Sequence, residues 1–147
     1  MVSMLINSLI AGFLGTLVMT FSQLIEMFLT KRKGSNSPAI AFSKIFRINL
    51  NKFSERGKTI FTYAVHFTYG TFWALAVYVL YLLGIQNTIY LIAIYFLITT
   101  IQGWVVIPLL NIGPNFWKWG AYSILSDAFH HLVLAIATVW IFMVLIA

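Results

Sequence analysis

With 147 residues, 61% of them hydrophobic and 8% charged, and a mean hydropathy of +0.94, the chain is too apolar for a soluble globular domain. It has no cysteine, which excludes disulfides, thiolate metal ligands and dithiol–quinone redox chemistry. Its net charge of +6 does not require a nucleic acid, because all nine Lys and Arg residues fall in two connections between apolar runs, where membrane topology accounts for them.

Four continuous apolar runs are present, about 4–29, 59–83, 88–110 and 123–146, each near the ~20 residues that cross a ~30 Å hydrocarbon core. They occupy most of the chain, so the expected fold class is all-α: an integral-membrane four-helix bundle in a single domain, residues 1–147. The runs do not alternate with period two, which argues against barrel strands.

The first run has no positive leader, is too long for a signal-peptide core, and stops at Lys31-Arg32-Lys33, so a retained helix is expected. Ser8, Gly12, Thr16 and Thr20 recur every fourth residue with Gly15 beside them, a small-residue stripe that lets a second backbone come close. The 31–58 connection that follows is the only soluble-looking stretch. Ser37-Pro38 predicts a helix start there, with Ser37 as N-cap and Pro38 at the first position. Ile40, Phe42, Ile45, Phe46 and Phe53 then alternate with basic residues. Such a piece lies in the bilayer interface, with Lys31, Arg32, Lys33, Lys44, Arg47 and Lys52 drawn to anionic lipid headgroups.

The second run carries a shorter small-residue pair, Gly70 and Ala74, and ends at the Gly-Ile-Gln-Asn turn of residues 84–87, which makes runs two and three antiparallel neighbours. The third connection holds Lys118 and the interface anchors Trp117, Trp119 and Tyr122, with Pro108 and Pro114 bracketing the helix end. All the other Lys and Arg residues lie between 31 and 58. Four spans put these two connections on one side, so that side is expected to be cytoplasmic, with both termini outside and the protein multi-pass in the plasma membrane.

Ionisable side chains inside apolar spans are costly, at least ~2.5–3.5 kcal/mol each on insertion scales, and they usually face a bundle interior or a pathway. Here they are Glu26, His66, Asp127, His130 and His131. At ~1.5 Å per residue, Glu26 lies roughly 8 Å from the cytoplasmic boundary, Gln23, His66 and Gln102 about 12 Å, and the last-helix group about 6–12 Å. One polar slab on the cytoplasmic side is therefore expected. Asp127 and His131 are four apart and share a face, so the carboxylate can fix the tautomer of that imidazole.

Three readings of the slab stand open. It can be an interhelical clamp, a network such as Glu26–His66–Asp127–His131. It can handle protons or ions. It can also bind a metal through Glu26, His66, Asp127 and one last-helix histidine, or a b-type haem between His66 and His131 with room left by Gly70 and Ala135. Enzyme motifs are missing: there is no G-x-S-x-G elbow, no H-E-x-x-H and no P-loop.

The order His66-x3-Gly70, the Gln102 helix ending in I-P-L-L-N-I-G-P (107–114), and S-D-A-F-H-H-L-V-L (126–134) resembles the YagU-like family of small bacterial inner-membrane proteins. The segment L-I-A-G-F-L-G-T (9–16) and Glu26 are similar to that family's first helix. The resemblance implies the four-helix fold and favours Glu26, His66, Asp127 and His131 as site residues. His130 stands where the family has a small residue, and the resemblance names no activity. The expected function is thus a non-enzymatic membrane subunit or scaffold, associated with itself or a larger membrane complex.

Overall fold

The computed structural model describes residues 2–32 and 34–147 and is helical throughout, with four helices long and apolar enough to cross a membrane. Lys33, one of the residues assigned to the membrane surface, lies outside the described residues. The first helix, α1 (Val2–Thr30), is followed by a short helix α2 (Ser37–Ile45) and a 3₁₀ turn at Leu50–Lys52. The second crossing consists of α3 (Glu55–Trp73) and α4 (Leu75–Leu82), the third is α5 (Thr88–Leu109) and the last is α6 (Ala121–Ile146). The chain reads as one all-helical bundle in which α1 packs mainly along α6 and α3, while α5 packs on α6.

Helix starts follow local capping chemistry. Ser54 Oγ accepts from Gly57 N at 3.1 Å and begins α3 four residues earlier than the apolar run. Asn87 caps α5 by accepting from Ile89 N and Tyr90 N. Ser37, expected as an N-cap, is instead the first residue of α2; Asn36 holds the cap position and the Ser35 hydroxyl takes the Ser37 N–H.

The second crossing is not the single helix expected over 59–83, for it is interrupted at Ala74. The interruption lies beside a close approach of α1. A Cβ placed on Gly12 would stand 2.5 Å from Ala74 Cβ and 2.9 Å from the Thr71 carbonyl oxygen, so the two backbones are in direct contact there. The small-residue stripe makes this approach possible: Ser8, Gly12, Gly15, Thr16 and Thr20 are all buried, and Thr16 and Thr20 return their hydroxyls to the carbonyls of Gly12 and Thr16. Gly15 faces Thr138 of α6, and Gly70 of α3 faces the Thr16 side chain. Beyond this contact lies the apolar core, with Val77, Leu91, Tyr95, Ala135, Val139 and Phe142 fully buried.

At the opposite end, Lys44 of α2 reaches the end of α5. Its Nζ donates to the carbonyls of Leu110 and Asn111, at 2.7 and 2.8 Å, and so caps the C-terminal end of α5. A cation on the last carbonyls also complements the helix dipole. The cap ties the basic connection to the bundle.

Candidate functional site

The expected polar slab exists: Glu26 at the end of α1, His66 early in α3, Gln102 late in α5, and Asp127, His130 and His131 early in α6 all lie at one end of the bundle. They do not form one network. The structure divides them into three groups, with Gln102 apart.

The first and best connected joins α1 to α6 through His130, the histidine that the family resemblance ranked lower. His130 is 6% exposed, and its Nε2 lies 2.5 Å from Glu26 Oε2. Ser126 donates to the Glu26 carboxylate, with both oxygens at 2.8 Å, and Tyr122 OH donates to Oε1 at 2.7 Å. On the other side of the ring, His130 Nδ1 lies 2.8 Å from Ser22 Oγ, whose hydroxyl reaches the Met19 carbonyl. When Ser22 donates to that carbonyl, it accepts from Nδ1–H. Arg32 completes the outer edge, with its guanidinium carbon 4.2 Å from the centre of the Tyr122 ring.

The second group is Asp127, Trp104 and His131. Trp104 Nε1–H donates to Asp127 Oδ2 at 2.9 Å, which links α5 to α6. The i, i+4 pair predicted from spacing is present but loose, with His131 Nε2 3.9 Å from Asp127 Oδ1, beyond hydrogen-bond reach. His131 Nδ1 is buried without a hydrogen-bond partner among the described residues. The third group is His66, whose Nε2 meets Thr20 Oγ1 at 3.1 Å. Gln102 stands apart as the acceptor for Tyr69 OH, and Gln23 lines a cleft beside Glu26.

Two expectations are therefore corrected. The Glu26–His66–Asp127–His131 network is absent, because Glu26 is taken by His130 and His66 by Thr20. Adjacent residues on a helix point about 100° apart, so His130 faces α1 while His131 turns toward Gly103 of α5. The metal set fails for the same reason: among the described residues no three His, Asp or Glu side chains converge. Nor is there room for a ring beside His66, since the Thr16 side chain fills the space next to Gly70.

Sequence reasoning missed Ser22, Tyr122, Ser126 and Trp104. A signal for three of them was present. Tyr122, Ser126 and His130 continue at four-residue spacing into Leu134, Thr138 and Phe142, the buried face of α6, and Ser22 precedes Glu26 by the same interval. Extending the buried stripe backwards selects His130 over His131. No protein-family model, curated protein or solved structure matches the chain.

Proposed function

We propose that the protein is a small non-enzymatic subunit or scaffold of the plasma membrane, in which Glu26, His130, Ser126 and Tyr122 clamp α1 to α6 on the cytoplasmic side. The observation that carries this reading is the convergence of α6 on Glu26: its carboxylate accepts from Tyr122, Ser126 and His130, and the far nitrogen of that imidazole is held by Ser22. A carboxylate engaged by three side chains of a neighbouring helix holds the two helices together. His130→Ala removes the centre of the clamp and leaves Glu26 and Ser22 short of a partner, so thermal unfolding in detergent should show a loss of about 2 kcal/mol. Unchanged stability of that variant would remove the basis for a clamp.

Orientation with the 31–58 connection inside and both termini outside is supported by the distribution of all nine Lys and Arg residues. The basic connection would then lie against anionic headgroups, as an extension of the capping role of Lys44. A place among YagU-like proteins is supported by the matching order of Glu26, His66, Asp127 and the helix-ending I-P-L-L-N-I-G-P. Because the chain has no cysteine, single substitutions report topology cleanly. On intact cells an impermeant maleimide should label Gln86→Cys and spare Lys52→Cys; the reverse pattern would invert the orientation.

A further inference from the structure

Residues 31–58 carry eight Lys and Arg against one acid, Glu55. The structure separates these cations by what they touch. Lys44 caps α5, Arg32 lies over the Tyr122 ring, and Lys58 pairs with Glu55 at 2.7 Å. Lys31, Arg47, Lys52 and Arg56 are exposed, and their side chains make no hydrogen bond or ion pair among the described residues. The last three fall in the turn from α2 into α3, beside exposed apolar groups: Ile45, Phe46 and Phe53 are 59%, 61% and 37% exposed. A run of ring contacts, Phe46–Phe42–Phe61–Phe53, has centroids 4.3, 6.0 and 5.6 Å apart and holds the end of α2 against the start of α3. Residues 45–56 thus form one patch. Within it Arg47 takes a φ of 55° where the Ile48 N–H returns to the Ser43 carbonyl at 2.8 Å, a helix-ending position that glycine usually fills.

We propose that this patch docks on anionic phospholipid headgroups of the adjoining leaflet, with Arg47, Lys52 and Arg56 meeting lipid phosphates while Ile45, Phe46 and Phe53 enter the acyl boundary. The inference rests on the membrane placement of the connection proposed above. It narrows the contact to one turn, removes Arg32 and Lys44 from it because both are engaged within the bundle, and adds Arg56. The spanning helices α1 and α3 tether both ends of the connection, so the patch stays at the bilayer surface. A lipid boundary presents phosphate and hydrocarbon side by side, which matches cations set among exposed apolar groups. A soluble acidic surface would match the charge alone.

The test reconstitutes the full chain in phosphatidylcholine nanodiscs, with spin-labelled phosphatidylglycerol or phosphatidylcholine as the probe, and reads their relative association from the motionally restricted fraction. Both leaflets then have one composition, so an inverted orientation leaves this result untouched and shows only in the maleimide pattern. At low salt the anionic probe should be favoured at least ~5-fold, a preference that shrinks as salt screens the contacts. Arg47→Gln, Lys52→Gln and Arg56→Gln together should bring the ratio to about 2 or below. Lys44→Gln should lower the unfolding midpoint and keep the ratio. Should the triple variant fail to fold, Arg47→Gly alone suits the left-handed backbone; it should hold or raise the unfolding midpoint and still lower the ratio at least ~2-fold. A ratio near one in the unsubstituted chain would overturn the proposal. So would a ratio undiminished by the triple variant or by Arg47→Gly, or a patch that captures soluble polyglutamate in place of the lipid.

Discussion

In the half of the bundle that runs through Gly12, Gly15, Gly70 and Ala74, helices are held by close packing at small residues. In the half that runs through Glu26, Trp104, Asp127 and His130, they are held by side-chain hydrogen bonds. Both solutions answer one physical problem. Lipid tails are as apolar as leucine, so helices in a bilayer gain nothing by hiding apolar surface from them, and must associate by close packing or by hydrogen bonds. The first solution needs small residues and tolerates little change. The second needs polar residues, which are costly in hydrocarbon and sit here near the end of the bundle, where a cleft opens.

The same substitution made in each half should separate the two modes. Gly70→Ala adds a methyl group where the Thr16 side chain already stands, and Gly15→Ala adds one against Thr138, so each should destabilise by about 1–3 kcal/mol in thermal or denaturant unfolding. Gly103→Ala, in the polar half, places its methyl 3.7 Å from His131 Nε2, an ordinary contact. There the higher helix propensity of alanine should prevail, leaving stability unchanged or raising it by up to ~1 kcal/mol. A neutral Gly70→Ala, or a Gly103→Ala as damaging as the others, would erase the distinction between the halves.

The tightly packed half was legible in the sequence because its determinant is periodic: the stripe Ser8, Gly12, Thr16, Thr20 and the pair Gly70, Ala74 are buried as their spacing implies. Span number and approximate limits were legible because the apolar runs are continuous and of membrane length. The partners in the polar half were less so. Depth along each helix placed the ionisable residues at one level, but rotation about the helix axis decides which of them meet. His130 and His131 are at nearly the same depth and differ by about 100° in direction. The break at Ala74 has no local breaker such as proline and lies where α1 comes close at Gly12, a long-range contact that no single segment encodes. Lys44 was hidden likewise, since its partners are carbonyls more than sixty residues away.

The central claim is that Glu26 is paired with His130 and not with His131. A double-mutant cycle measures this directly, by unfolding in detergent of Glu26→Ala, His130→Ala and the double variant, beside the same cycle with His131→Ala. The Glu26–His130 pair should show a coupling of about 1–2 kcal/mol, above the ~0.6 kcal/mol average for interhelical hydrogen bonds in membranes, and the Glu26–His131 pair a coupling near zero. Additive effects for Glu26 and His130 together with strong coupling to His131 would contradict the clamp described here.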